Sequence, residues 1–285
     1  MTSVLHLQKV AGISGSEAHL LLLLPRLRER GWDVRMLMLH EHEPGAWDFA
    51  RALTDRGVPL DAVPISRDVD PSAFLGLVRY LTDERPQILH THLVHADAYG
   101  QIAGTMARVP IRMSTKHGFN EFREGRAFAL ADRAVASLAH VHIAISHGLA
   151  RYLAETEGFE ERSFEIVHYG IAPRDGAADY AGAEPRLLCV GRLIPIKGHI
   201  VLLRAFAAAI GGLGELVLHG ETGLLVEPGV AEPLERAIVS LAGDLGRAAE
   251  LGRAGRERAL AEFLESRCVE RTEQLYERAL GSNGR

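Results

Sequence analysis

The sequence predicts an α/β fold built on a doubly wound parallel sheet, and two observations carry that expectation. From Val4 to Val167, short apolar runs alternate with stretches of helical period, each closed by Gly, Pro or a charged turn, as in successive βαβ units. Near residue 190 the pattern starts again. In R-L-L-C-V-G-R-L-I-P-I-K-G-H-I-V-L-L-R-A-F (186–206), an apolar run at 187–190 stops at Gly191, as a buried parallel strand would. A helical face of Ile200, Leu203, Phe206 and Ile210 then begins.

In chain order, a first strand is expected at 4–7, followed by K-V-A-G-I-S-G-S-E-A-H leading into a helix that Gly31 stops. Gly12 and Gly15 let the backbone approach a ligand, and Ser16 is the expected N-cap, leaving first-turn amides aimed at an anion. Strands follow at 34–39, 58–65, 88–92, 111–116, 142–145 and 164–167, with helices at 47–56, 71–84, 96–108, 126–138 and 148–156. The small, acidic stretch D-G-A-A-D-Y-A-G-A-E (175–184) reads as a linker. The second half offers a strand at 187–190, a short one at 224–226, and helices at 233–242, 246–262 and 265–280 before a frayed tail, G-S-N-G-R. The expected domains are therefore 1–172, a linker at 173–185, a second domain at 186–264, and a terminal helix and tail at 265–285.

Composition excludes several classes. The chain has 285 residues, 47% of them hydrophobic and 24% charged, with 32 Lys and Arg against 37 Asp and Glu for a net charge of −5. That balance gives no global attraction to nucleic acid. The start, M-T-S-V-L-H-L-Q, lacks the basic and apolar segments of a signal peptide. The greasiest run, 20–24, is closed by Arg26 and Arg28 well short of a membrane span. A cytosolic protein is expected, with peripheral contact to the inner face of a membrane left open. Cys189 and Cys268 read as isolated thiols rather than a disulfide framework.

Chemistry is expected where open α/β sheets bind ligands, at the carboxyl ends of strands. Arg192 and Lys197 lie in the loop between strand and helix at 191–198, two fixed cations suited to a phosphate or diphosphate. The bland alternative is a turn with two solvated charges. Of 14 histidines, 12 fall within the first 168 residues. In H-T-H-L-V-H, strand alternation puts His90 and His92 on one face, and His95 could curl back from the loop. Asp97 and His117 could approach them, but no acidic residue precedes them as a fourth ligand, so cleft-lining polar residues are favoured over a metal. His117-Gly118 ends the strand at 111–116, where a neutral imidazole could bond a hydroxyl or move a proton. A surface-turn histidine is the plain alternative. Ser146 in A-I-S-H-G reads as a helix cap rather than a nucleophile.

Several of these stretches resemble motifs of the GT-B glycosyltransferases, family four in particular, and occur in the family's order. They are G-I-S-G-S-E-A-H, L-H-T-H-L, S-T-K-H-G, A-I-S-H-G-L, I-V-H-Y-G-I-A-P, G-R-L-x-x-x-K-G with L-L-x-A-F, and G-E-T-G-L-L-V-E-P-G. Y-G-I-A stands where N-G-I-D is more usual. The resemblance implies two Rossmann-like domains and retaining, metal-independent transfer of a sugar from a nucleotide-sugar. The acceptor would be an unspecified sugar, lipid or small molecule, and no cofactor is needed. It implies that Gly15, Arg192 and Lys197 meet the donor diphosphate and that His117 meets the transferred sugar as the catalytic candidate. Gly12, Ser16, His92 and Gly118 would line the cleft, and the helix at 271–280 would return to the first domain.

One departure matters. In the family a long segment, including the glutamates that bind donor sugar and ribose, separates the A-F helix from G-G-x-x-E-x-V. Here Ile210 abuts Gly211, so about 100 residues of a usual second domain are missing. A truncated second domain would expose apolar surface and invite self-association. Two functions therefore stand side by side: a retaining glycosyltransferase with activity weakened or lost, and a non-catalytic remnant that binds a nucleotide, a glycan or a partner protein.

Overall fold

A computed structural model describes residues 1–66, 69–118, 126–172, 216–227 and 231–283. It divides into two compact units, Met1–Ala172 with Glu265–Arg285, and Pro173–Leu264. The expected linker, the strand at 187–190, the helix after it, Arg192 and Lys197 all lie outside the described residues.

The first unit is a parallel sheet of seven strands in the order β3-β2-β1-β4-β5-β6-β7. Its strands are β1 (Ser3–Lys9), β2 (Asp33–His40), β3 (Leu60–Pro64), β4 (Ile88–His92), β5 (Ile111–Lys116), β6 (Val141–Ala144) and β7 (Phe164–Ile166). Between them run α1 (Gly15–Glu29), α2 (Pro44–Thr54), α3 (Pro71–Glu84), α4 (Leu93–Met106), α5 (Arg126–Ala136) and α6 (His147–Glu157). The strand order reverses between β1 and β4, the switch point at which doubly wound sheets open a ligand crevice. Strand alternation divides the core into two layers. Val4, Met36, Met38, Ile88 and Met113 pack with α1, α2 and the last helix, while Leu5, Leu7, Leu37, Leu39 and Leu89 pack with α3 and α4.

That last helix, α9 (Glu265–Asn283), belongs to the first unit and lies on α1. Cys268, Val269, Leu275 and Tyr276 enter the first core layer. Ion pairs Arg26–Glu265 at 2.9 Å and Arg30–Glu273 at 2.6 Å tie its edge to α1, and Trp32 donates to Glu273 at 3.0 Å. Its start sits on Gly170, where a Cβ would come within 2.5 Å of Glu265 Cα. The helix continues through Asn283, so residues 281–283 are helical and not the start of a frayed tail.

The second unit contributes α7 (Ala231–Gly243) and α8 (Leu245–Glu262) among the described residues. The strand expected at 224–226 is absent. The chain instead closes a local turn, with Gly220 donating to the Gly223 carbonyl at 2.7 Å and an isolated bridge between His219 and Gly223. Three apolar residues need a neighbouring strand to become one, and no described residue pairs with them. Among the described residues no helix is long and apolar enough to cross a membrane.

Within the first unit, α4 lies close on the sheet because Gly100 carries no side chain. A Cβ there would meet Thr91 Cγ2 at 2.5 Å and Leu7 Cδ2 at 2.6 Å. Gly76, inside the exposed face of α3, has nothing within 4 Å. Gly100→Ala should therefore destabilise the protein by about 1–3 kcal/mol through overpacking. Gly76→Ala should stabilise it by about 0.4–1 kcal/mol through helix propensity and a less flexible unfolded chain. Urea midpoints of the two variants moving in the same direction would contradict this packing.

Candidate functional site

The rim at the carboxyl ends of β1, β4 and β5 gathers an unusual set of buried polar groups. Sheet register sets His6 beside His90, Gln8 beside His92, and His92 beside Thr115. Period-2 alternation turns these rings to the face that α1 and α9 cover. His6, His90 and His92 are consequently buried, and His117, the first residue after β5, is half-buried at the rim. Burial without water demands partners, and the rings find them in one another. His90 Nε2 is hydrogen-bonded to Thr115 Oγ1 at 2.7 Å, and His90 Nδ1 to the Tyr276 hydroxyl at 2.7 Å. Tyr276 also contacts His6 Nε2 at 3.0 Å, and His6 Nδ1 contacts His92 Nε2 at 2.8 Å. His92 Nδ1 reaches His117 Nε2 at 2.8 Å, and His117 Nδ1 reaches the Tyr169 hydroxyl at 2.5 Å.

The rim brings together three of the residues that the sequence singles out. A Cβ on Gly15 would lie 4.0 Å from the Tyr169 ring, which bonds His117, which bonds His92. His19, on α1, stacks on Tyr169 at 4.4 Å. Gly12 and Gly118 are partly exposed near the same loops. Two expectations need correction. His92 does not line the cleft, because α1 and α9 cover its face and it stands behind His117. Ser16 is not the N-cap of α1 either. Helix α1 starts two residues earlier than a Ser16 cap would place it and Ser14 caps it, with the Glu17 carboxylate accepting from the Ser14 amide at 3.0 Å. Ser16 is buried, and its hydroxyl accepts from Gln8 Nε2 at 3.2 Å. The first-turn amides of α1 still lack intrahelical partners and face the rim.

On the opposite face of the sheet lies a second polar cluster. The buried Lys116 ammonium sits 2.8 Å from Asp97 Oδ2 and 3.3 Å from Asp132 Oδ2. Ser114 donates to Asp97 at 2.9 Å, and Gln101 donates to Thr91 at 2.7 Å. This cluster clamps the end of β5, whose next residue is His117. Asp97 is thus engaged away from the histidines and does not approach them as a metal ligand. His95 is in the first turn of α4 and stays outside the cluster. The ring nitrogens of His6, His90 and His92 do lie within 4.8 Å of one another. Each is already engaged in the hydrogen-bonded chain, and among the described residues no carboxylate joins them. Sequence reasoning missed His6, Tyr169 and Tyr276. His6 was signalled by its position in β1 opposite His90 and Tyr169 by the unusual Y-G-I-A, but Tyr276 by nothing local.

Burial holds these imidazoles neutral. Desolvation, then the neighbouring His90, pulls His6 and His92 well below the usual histidine value, and desolvation does the same to His117. His90 falls to about 3 and His19 to about 4, again through burial. The folded values lie below the unfolded one of about 6.5, so the unfolded chain takes up protons first as pH falls. Stability is therefore full above about pH 6.5. It should drop below that by about 1.4 kcal/mol per pH unit for each such histidine, until the folded values are reached. Urea midpoints at pH 7.5, 6.5 and 5.5 should show little change over the first interval and a steep loss over the second. A constant midpoint down to pH 5.5 would mean that these rings are not buried neutral.

Known proteins resemble this chain in sequence and in fold. The family model described as "Glycosyl transferase 4-like domain" matches residues 14–170. An alpha-maltose-1-phosphate synthase from Mycolicibacterium smegmatis is 39% identical over 90 residues, 27% of this chain. The match spans 23% of that curated relative's length. Anabaena HepE in complex with UDP superposes with a TM-score of 0.79 at 15% identity, covering 97% of this chain and 100% of that one. HepE is also known in complex with UDP-glucose. Sucrose-phosphate synthase from Thermosynechococcus elongatus gives a TM-score of 0.74 at 16% identity, covering 99% and 100% of the two chains. At such identities these structures speak for the fold, an α/β fold of the GT-B glycosyltransferase type. With its family model spanning residues 14–170, this chain belongs to the glycosyl transferase 4-like family.

Proposed function

We propose that this chain binds a nucleotide-sugar at the rim of β1, β4 and β5 and is built for retaining transfer of the sugar without a metal or other cofactor. The observation that carries the reading is His117. It stands at the end of β5, braced from behind by His92 and from the side by Tyr169, next to the Gly15 loop. A neutral, oriented imidazole is a directional hydrogen-bond partner for a sugar hydroxyl. Gly15 and the α1 amides would face the donor diphosphate, with Arg192 and Lys197 supplying the positive charge. As the glycosidic bond to the diphosphate breaks, charge grows on the leaving oxygens, and those cations and dipoles would stabilise it. The structural neighbour HepE, known with UDP and UDP-glucose, favours a uridine nucleotide as the first donor to test. The acceptor, a sugar, lipid or small molecule, is unassigned.

A second reading rests on one sequence observation, the direct junction of Ile210 and Gly211. If the family's glutamate-bearing segment is lost there, donor binding persists weakly and turnover does not. The chain then serves as a non-catalytic binder, with self-association or a membrane surface covering the truncated domain.

Thermal shift and turnover separate the two. A native-state ligand at 100 times its dissociation constant stabilises by about 2.7 kcal/mol, so UDP or UDP-glucose at millimolar concentration should raise the melting temperature by several degrees. His117→Ala should weaken UDP-glucose binding by roughly tenfold, the worth of one neutral hydrogen bond, and leave UDP binding unchanged. Arg192→Ala should weaken both by roughly one to two decades, since it removes a charge-assisted contact. Transfer or hydrolysis of the sugar that survives EDTA would favour the enzyme, and binding without turnover the remnant. No shift with any nucleotide or nucleotide-sugar would sink the enzyme and the nucleotide-binding remnant alike, leaving a remnant that binds a glycan or a partner protein.

A further inference from the structure

The buried chain from Thr115 to Tyr169 carries a constraint beyond the identity of its members. A neutral imidazole has one N–H and one bare nitrogen, and a phenol has one proton. In His90, Tyr276, His6, His92 and His117 both sides are occupied by a neighbour in the chain. Each member must therefore donate to one neighbour and accept from the other. Every imidazole runs in the same sense, with Nε2 toward Thr115 and Nδ1 toward Tyr169. The protons can thus be arranged in two ways only, all four rings Nδ1–H or all four Nε2–H. A mixed arrangement would set two lone pairs or two N–H groups against each other between neighbouring rings, or at Tyr276 leave the phenol proton or a ring nitrogen unpaired, with no other partner among the described residues.

The ends of the chain select between the two. Among the described residues Thr115 Oγ1, which is buried, has His90 Nε2 as its partner. If His90 donated to it, the threonine proton would be left buried with no acceptor among the described residues. If Thr115 donates, every proton is placed, and the surplus O–H emerges at Tyr169, which is partly exposed at the rim. We propose that Tyr276, His6, His92 and His90 form a tautomer lock that holds His117 as Nδ1–H, so that it presents a hydrogen-bond donor at the rim. Tyr276, His6, His92 and His90 are positioning residues, since they act through His117. The functional part rests on the proposed sugar site. A sugar oxygen that displaces the Tyr169 hydroxyl would meet an N–H, so the lock selects an acceptor atom on the ligand.

Long-range proton–nitrogen correlation on the full chain labelled with 15N-histidine reads the tautomers directly, with each ring assigned by a His→Gln substitution. The expected result is the Nδ1–H pattern for His6, His90, His92 and His117 alike. Any one of them as Nε2–H, or a mixture among them, overturns the lock. So does a stoichiometric metal found in the purified protein by elemental analysis, because ring nitrogens bound to it could not carry the chain. Tyr276→Phe removes the bridging hydroxyl without emptying the space. In that variant His90 should stay Nδ1–H, while His117, three hydrogen bonds from Tyr276 along the chain, should no longer be held to Nδ1–H. An unchanged His117 pattern in a folded variant overturns the proposal, and the wild-type pattern remains decisive if the variant does not fold. The four Nδ1–H signals together with no nucleotide-sugar binding would support the lock and remove the sugar-site reading alone.

Discussion

The hydroxyl of Tyr276 lies between two imidazoles, 3.0 Å from His6 Nε2 and 2.7 Å from His90 Nδ1. Much of the first unit depends on that placement. Four histidines under one rim are a liability in a dry core, because each ring brings two polar atoms that must be paired. Without the phenol the chain would break in the middle and leave a buried nitrogen on either side. The terminal helix therefore does two jobs. It buries Cys268, Val269, Leu275 and Tyr276 against the layer formed by α1 and the sheet, and it completes a polar network whose other members come from β1, β4, β5 and the residues that follow β5 and β7.

The two faces of the sheet solve the same problem in different ways. Beneath α1 and α9 the polar layer is neutral, built of imidazoles that burial keeps from charging. Beneath α4 and α5 it is ionic, with Lys116 between Asp97 and Asp132. A buried ion cluster contributes little net stability but is costly to break, which makes it a stiff clamp for the end of β5. His117 follows that clamp directly and is held on its other side by neutral rings. A side chain fixed by both layers is preorganised in a way that a loop histidine in solvent is not.

For a nucleotide-sugar site this division has a consequence. The described part of the rim offers dipoles and neutral donors, and the carboxylate of Glu17 is already tied to Ser14 and Gln8. Positive charge for a diphosphate is the role that the proposed function gives to Arg192 and Lys197, which lie outside the described residues. The first half would then supply orientation through His117 and Gly15.

The sequence by itself determined the parallel α/β architecture of the first unit. Short apolar runs and helical periods are local patterns, and α3, β4 and β5 have the bounds that their Pro, Gly and polar flanks imply. Motif order led to the family, and strand alternation placed His90 and His92 on one face. The cap of α1 was misplaced by two residues, because Ser14 and Ser16 are equivalent until the Glu17 carboxylate chooses between them. A strand at 224–226 was expected from three apolar residues, but a strand exists only if another pairs with it, and that is a property of the fold. Only the tertiary structure could decide that His92 is buried rather than exposed to a ligand, because the rings that engage it come from β1 and from the residue after β5, and the Tyr276 that continues the chain from His6 to His90 lies 186 positions beyond His90. Hydrogen-bond partners across such separations leave no local trace in composition or period. The histidines were therefore legible as a cluster, and their connection through Tyr276 was not.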